Sequence, residues 1–403
     1  MRFIHTSDWH LGRTLHGEDL FDAHQKFLDW LVSQVQEHAV DAVLISGDVF
    51  DQAYAPARSI EQFSDALARL AEHASVIATP GNHDSAVRLG YLSPLLRDQV
   101  TIISRTADAG QGVRVAGSDG HDAIVYPLPY LDPSDARRVL AEDFDEDGVP
   151  VPLTRSHEAV TSAAMRRIRA DIAERMTAGS EPLATVVMAH AFVIGGQASD
   201  SERDIRVGGV DSVPAGVFSG VDYVALGHLH GPQQISAPAV SEGRAPVIRY
   251  SGSPLAFSFS EMNHHKSVCL VEVTARDGVT ACTVLATPIA RRLSHIEGTL
   301  EEVLSAVHAD KRDDWVRIVL TDARTPAGYL SVIKQAFPHM LQVQRKPVLG
   351  GGSPGMAPMT PTSDPASVVA DFVRYVTGAD PTDEETSLIH EIVSEVNDAQ
   401  RSA

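Results

Sequence analysis

A chain of 403 residues, 43% of them hydrophobic, with mean hydropathy near zero, is too long for one ordinary core and reads as two or three soluble domains. No run approaches the roughly 20 apolar residues of a membrane-spanning helix, and 2 cysteines argue against a disulfide framework. A formal charge of −20, from 53 acidic against 33 basic residues, predicts weak nucleic-acid binding by this chain alone. The acids are unevenly placed: Asp364 to Asp398 holds nine with Arg374 the one basic residue, and Glu142 to Asp147 holds five. The N-terminus enters a strand at once, without a signal-peptide pattern, so the cytoplasm is expected.

In chain order, a strand is predicted over 2–7 and a helix near 20–37, where Leu20, His24, Phe27, Leu28, Leu31, Val32 and Val35 form one stripe. A strand at 41–46 leads to a helix near 56–72, with Ile60, Phe63, Leu67 and Leu70, and a strand at 75–79 to a helix near 85–97. Short strands near 100–104, 113–116 and 123–128 precede an acidic loop at 141–150 and a helix near 155–177. Strands at 185–189 and 222–226 bracket a glycine-rich connection, and a hairpin at 267–274 and 279–285 turns at Asp277-Gly278. Residues 288–347 carry an αβαβ pattern, with a helix near 299–308, strand 315–321, helix 326–337 and strand 340–344. A Gly-, Pro- and Met-rich stretch then reads as a linker, before helices near 365–377 and 383–398.

Five strand ends carry metal-ligand residue types. These are Asp8-x-His10, Gly47-Asp48-x-x-Asp51, Gly81-Asn82-His83-Asp84, Ala189-His190, and Gly227-His228-x-His230. Alternate residues leaving a strand point the same way, so Asp8 and His10 can reach one ion. A solvated turn accounts for any one of these motifs alone. Five in succession, each after an apolar strand, describe an α/β scaffold with its chemistry at the strand C-terminal ends.

With these residues the chain resembles the calcineurin-like metallophosphoesterases, and among them the bacterial counterparts of the Mre-type DNA repair nucleases. The closer likeness rests on Ser7-Asp8-Trp9-His10-Leu11-Gly12, Gly47-Asp48-Val49-Phe50-Asp51, Val207-Gly208 with Val213-Pro214-Ala215, and Arg249-Tyr250-x-Gly252-Ser253-Pro254-Leu255 with Ser258-Phe259. It spans the phosphoesterase part, is looser over 288–347 and only schematic at the C-terminus. The resemblance implies a four-layer α/β sandwich with mixed sheets over 1–286, an α+β capping domain over 287–347, a flexible linker over 348–363 and a helix-loop-helix tail over 364–403.

It also implies that Asp8, His10 and His230 hold one divalent ion, that Asn82, His190 and His228 hold the other, and that Asp48 bridges them. Carboxylate, amide oxygen and imidazole together suit a hard-to-borderline ion such as manganese, with magnesium or another divalent ion as the alternative. Two ions about 3.5 to 4 Å apart activate water and clamp phosphate oxygens. His83 would then supply acid chemistry at the leaving oxygen, with Asp51 as its orienting partner. The implied activity is exonuclease action on double-stranded DNA ends and endonuclease action on hairpins, in repair and recombination. The tail would grip an SMC-family ATPase within a heterotetramer, and the helices near 56–72 and 85–97 would form a homodimer.

Arg13, Arg58, Arg88 and Arg203 flank the motif loops and are candidate DNA contacts, against the competing reading of solvated surface arginines. Cys269 and Cys282 are expected as a reduced pair on the hairpin. Two rival functions stay open. A different calcineurin-like phosphatase would explain the metal motifs but leave 288–403 idle, and a DNA-end clamp would have a vestigial centre.

Overall fold

The computed structural model describes residues 1–96, 99–177, 181–203, 212–237, 244–346, 364–377 and 380–401. The expected linker at 348–363 and the Val207-Gly208 pair lie outside the described residues. The chain divides into two units, Met1–Ala290 and Arg291–Ala403.

In the first unit, β1 (Arg2–Thr6) leads through a small ribbon, β2 (Thr14–Leu15) and β3 (Glu18–Asp19), to helix α1 (Phe21–Glu37). Then come β4 (Ala42–Ser46), α2 (Ala57–Ala71), β5 (Ser75–Thr79), α3 (Ala86–Leu89), β6 (Val100–Ile102), β7 (Val113–Val115) and β8 (Ala123–Pro127). Helices α4 (Pro133–Val139) and α5 (His157–Thr177) precede β9 (Ala184–His190), β10 (Tyr223–Gly227), β11 (Gln233–Ile235) and β12 (Val247–Tyr250). The hairpin β13 (Ser267–Thr274) and β14 (Gly278–Ala286) completes the unit.

Two six-stranded sheets result, ordered β14-β13-β1-β4-β5-β6 and β11-β12-β10-β9-β8-β7. In the first, β1, β4, β5 and β6 are parallel and the hairpin adds antiparallel strands at one edge. In the second, β12, β10, β9 and β8 are parallel, with β11 and β7 antiparallel at the edges. Period-two alternation sorts each strand between two cores. Phe3, Leu44, Ile77, Val125, Val186, Met188 and Tyr223 pack between the sheets. Ile4, Val43 and Ile45 pack outward with Phe27, Leu31 and Phe63 of α1 and α2. Val187, Val224 and Leu226 pack outward with Val160, Ala164 and Ile168 of α5. Because both faces of every central strand are buried, the strands read as unbroken apolar runs. The order helix, sheet, sheet, helix is the expected sandwich.

Local differences from the sequence reading have local causes. The stripe on α1 is buried as expected, but Ile60 of α2 is exposed. The segment 85–97 is no helix: α3 covers four residues, and a single 3₁₀ turn follows at Ser93–Leu95. Pro94 bars an α-helical continuation through Ser93. Helix α4 was not expected, yet Asp132 caps it, accepting from the Ser134 N–H at 2.7 Å, and Pro133 starts it.

In the second unit, β15 (Leu293–Gly298), α6 (Leu300–Leu304), β16 (Trp315–Leu320), α7 (Tyr329–Ala336) and β17 (Met340–Arg345) build a three-stranded parallel sheet, β15-β16-β17. Ile296, Val303, Val316, Ile318, Leu320, Ile333 and Phe337 form its core. The sequence reading missed β15, in which buried Ser294, Ile296 and Gly298 alternate with the more exposed Leu293, His295 and Glu297. It also ran one helix across 299–308, where α6 stops at an extended Ser305 and a 3₁₀ turn takes over. Helices α8 (Pro365–Thr377) and α9 (Asp383–Arg401) form a pair that leaves Val369, Phe372, Leu388, Ile392 and Val396 exposed. Among the described residues, no helix is long and apolar enough to cross a membrane.

Candidate metal centre

Each candidate ligand leaves the C-terminal end of a parallel strand. Asp8 and His10 follow β1, Asp48 follows β4, Asn82 and His83 follow β5, His190 ends β9, and His228 and His230 follow β10. The first sheet supplies every oxygen donor of the set, and the second supplies imidazoles alone. The two rims are held close by glycines. A Cβ on Gly47 would overlap the His190 ring, and one on Gly227 would overlap the Ser46 carbonyl.

The side chains converge. Ligand atoms of Asp8, His10 and His230 lie within 4.8 Å of one another, as do those of Asp8, Asp48 and His190, and those of His10, Asp48 and His83. His10 Nε2 is 3.1 Å from His230 Nε2 and 3.7 Å from Asp48 Oδ2. On the other side, His190 Nε2 is 3.4 Å from the same Asp48 oxygen and 2.9 Å from Asn82 Oδ1, which His228 Nδ1 approaches to 3.2 Å. Asp48 thus stands between two donor groups. Six described non-glycine residues have positive φ, and Asp8, His10, Asp48 and His228 are four of them. Such backbone costs roughly 1–3 kcal/mol per residue and persists where the surroundings impose it.

The donor chemistry fits divalent cations. His190 Nδ1 donates to the Ser46 carbonyl at 3.0 Å, so the neutral ring turns the Nε2 lone pair toward the oxygens of Asn82 and Asp48. The buried Asn82 Nδ2 has no hydrogen-bond partner among the described residues, while its oxygen is aimed at the imidazoles of His190 and His228. Lone pairs so arranged repel unless positive charge lies among them, and carboxylate, amide and imidazole donors suit hard-to-borderline ions. Without metal the strain shows in the titrations. Burial opposes charge on His190, but the Asp48 and Asp8 carboxylates push its pKa up to about 9. Burial raises Asp8 to about 6 against the pull of His190 and His230, and drives His10 down to about 3 against Asp51 and Asp48.

His83 sits at the edge of this cluster, its ring edge-to-face with His10 at 4.6 Å between centroids. Its Nδ1 donates to the main-chain carbonyl of Asp51 at 2.8 Å. The expected pairing with the Asp51 carboxylate is therefore made by the same residue's backbone. The carboxylate instead lies 3.5 Å from His10 Nδ1 and 3.1 Å from Arg13 Nη1. A cleft of about 630 Å³ opens here, lined by Arg13, Thr14, Asp51, Gln52, Ala53, Tyr54, His83 and Arg203.

The candidate arginines differ in freedom. Arg13 spends its second nitrogen on the Ser201 carbonyl at 3.0 Å and lies over the Phe257 ring. Arg58 pairs with Asp19 at 2.6 Å, and Arg88 lies over Tyr54. Arg203 is exposed at the cleft and donates through Nη1 to the Asn82 carbonyl at 3.1 Å.

Sequence reasoning left out Asp84 although it closes the third motif. Its carboxylate accepts the N–H groups of Val49 at 3.0 Å, Phe50 at 2.9 Å and Gly81 at 2.9 Å, tying the loop after β4 to the loop after β5. Burial, with Asp48 nearby, raises it to about 7. Its place beside two candidate site residues was the available signal. Ser201, Glu202, Glu261 and Lys266 also gather behind His230, and no motif announces them.

Comparison with known proteins places residues 1–232 under the calcineurin-like phosphoesterase family profile. Residues 289–370 match the type 5 capsule protein repressor C-terminal domain. The chain is 35% identical over 295 residues to the D subunit of nuclease SbcCD from Bacillus subtilis (strain 168), covering 71% of this chain and 69% of the relative. Among solved structures, a Thermus thermophilus protein gives a TM-score of 0.36 at 11% identity, over 71% of this chain and 98% of its own. A dimetal phosphatase from Danio rerio gives 0.36 at 12%, over 72% and 99%.

Proposed function

The chain belongs to the calcineurin-like phosphoesterases, among the SbcD nuclease subunits, and from that premise we propose that it is a two-metal DNA phosphodiesterase. The observation that carries this reading is the convergence of Asp8, His10, Asp48, Asn82, His190, His228 and His230 on two donor groups sharing Asp48. Asp8, His10 and His230 would hold one ion, Asn82, His190 and His228 the other, and Asp48 would serve both. Two divalent ions, manganese by preference for this donor set, supply Lewis-acid activation of water and charge neutralisation at the phosphate.

The chain's own groups do the rest. Asn82 contributes a neutral oxygen, which leaves more positive charge for the phosphate than a further carboxylate would. His83 is the proton donor to the departing oxygen: the Asp51 carbonyl engages Nδ1–H, so the proton transferred is the second one of the charged ring, on Nε2, and burial, which lowers the pKa of His83, favours its release. Asp51 acts through that carbonyl, while its carboxylate steadies His10 and Arg13. Arg203 stands exposed at the cleft, its one hydrogen bond to a described residue going to the Asn82 carbonyl, and is the candidate for a DNA phosphate, whereas Arg13 and Arg58 are engaged within the chain.

The substrates in this reading are double-stranded ends and hairpins, in DNA repair and recombination in the cytoplasm. Residues 287–347 act as the capping domain and 348–363 as a linker. The tail at 364–403 binds an SbcC-like SMC-family ATPase, and the exposed apolar residues of α8 and α9 support it, since a helix pair with open stripes needs a covering surface. Tethering DNA affinity to the partner reconciles a −20 chain with a polyanionic substrate. A homodimer within a heterotetramer is the assembly this reading implies.

The test is cleavage of a DNA hairpin and a linear duplex by the purified chain, with and without manganese. Metal-dependent cleavage of both is expected. Hydrolysis of p-nitrophenyl phosphate without cleavage of either DNA would point to a small-molecule phosphatase. Deleting 364–403 should abolish co-purification with the ATPase and spare hydrolysis of small phosphodiesters.

A further inference from the structure

Behind His230 lies a buried ion pair that the proposed reaction does not use. Glu261 and Lys266 are 1% and 9% exposed and pair directly. A buried ion pair is weak evidence for stability, because desolvation offsets most of its attraction. This one converges on His230 from both ends. Lys266 Nζ donates to the His230 carbonyl at 2.9 Å and to Ser253 Oγ at 2.8 Å as well as to Glu261 Oε2. On the ring side, His230 Nδ1 is 2.6 Å from Ser201 Oγ, and that hydroxyl donates to Glu261 Oε1. Glu261 Oε1 is itself 3.4 Å from His230 Nδ1. The backbone is pinned too, since the His230 N–H donates to Glu202 Oε1 at 2.8 Å.

Hydroxyl direction points to the tautomer: Ser199 Oγ, 3.0 Å from Ser201 Oγ, has its own acceptor in Glu202 Oε2 at 2.7 Å, which leaves the Ser201 proton for Glu261. The Ser201 O–H is drawn to the carboxylate, so its oxygen is left as an acceptor toward His230 Nδ1. That nitrogen must then carry the proton, and Nε2 turns its lone pair to the centre, 3.1 Å from His10 Nε2. The other rings are held differently: His190 by a main-chain carbonyl, and His10 beside the Asp51 carboxylate at 3.5 Å.

Resting on the two-metal reading, we propose that Ser201, Glu261 and Lys266 form a positioning relay that fixes His230 as an Nε2 ligand. Ser201 is the informative position, because its hydroxyl can be removed while the Glu261–Lys266 pair stays intact.

Two measurements on the full chain test this. Nitrogen-15 NMR of the metal-free protein reads the His230 proton, expected on Nδ1 in the parent and spread onto Nε2 in Ser201→Ala. Calorimetric titration with Mn²⁺ should show one of two ions weakened about ten- to a hundredfold in Ser201→Ala, the range for groups that orient a metal-binding histidine. The other ion should keep its parental affinity, and Ser201→Thr should bind both ions as the parent does. Adding Glu261→Gln to Ser201→Ala should cost little more than either change alone, because both break one chain. Should Glu261→Gln not fold, the Ser201 pair decides. An Nε2-bound proton in the parent, or a Ser201→Ala chain with unchanged tautomer and unchanged affinities, overturns the relay. Equal weakening of both ions overturns it as well. A parent that takes up no pair of ions defeats the two-metal reading instead, and the NMR result still decides the relay.

Discussion

The two sheets of the first unit are built alike, each with four parallel strands and two further strands, together at one edge in the first sheet and one at each edge in the second, yet their rims are chemically unlike. The first rim offers Asp8, His10, Asp48 and Asn82, and the second offers His190, His228 and His230. Neither forms the proposed centre alone. The Asp8 and Asp48 carboxylates bring the negative charge that binds a cation, and the second-sheet imidazoles complete the proposed donor set without adding more charge. Such a centre depends on the packing between the sheets as much as on its own residues. His5 shows the link: it is buried between the layers, with Nδ1 3.0 Å from the Tyr223 hydroxyl and Nε2 3.1 Å from the Leu226 carbonyl, three residues before Asp8.

The division of labour can be broken most severely at Asp48, the carboxylate between the two groups. Asp48→Asn should abolish metal-dependent cleavage and weaken both ions in a Mn²⁺ titration; loss of one ion alone would deny it the bridging role. His83→Ala should come next, lowering cleavage on the order of a hundred- to ten-thousandfold while both ions still bind. Loss of an ion there would make His83 a ligand.

A milder break lies between the layers. Tyr223→Phe removes the hydroxyl beside His5 and should cost about 1 kcal/mol in urea unfolding, with a small loss of metal affinity and an unchanged metal count. An unchanged unfolding midpoint would show that the contact contributes nothing.

The smallest effect concerns pH. In the metal-free chain His190 is raised to about 9, above the roughly 6.5 of an unfolded histidine. Between those values the folded chain holds a proton that the unfolded chain releases. That share of stability is therefore complete below about 6.5 and lost as pH rises toward 9. Urea midpoints should fall from pH 7 to 9 without metal, and the fall should shrink with Mn²⁺, which needs the neutral ring. An equal fall in both conditions would remove His190 from the centre.

Much of the centre was legible because strand ends are local features. An apolar run shows where a strand stops, and Asp-x-His or Gly-x-Asp just beyond it names the donor. Helix α1 was legible for the same reason, through one stripe of seven positions. Segment 85–97 misled because its leucines suggested a helix while Pro94 and the short chain between turns prevented one. Strand β15 escaped because His295 and Glu297 dilute a pattern that only pairing with β16 completes.

Residue types at successive strand ends determined the fold class, the candidate donor set and the family, because each candidate donor lies within a few residues of the strand that aims it. Only the tertiary structure decided that Asp51 reaches His83 through its carbonyl, that Asp84 joins two loops, and that Ser201, Glu261 and Lys266 stand behind His230. Those partners lie 29 to 36 residues from the groups they hold where they are distant in sequence. Such contacts are set by how the layers close on one another, and short-range sequence patterns carry no record of them.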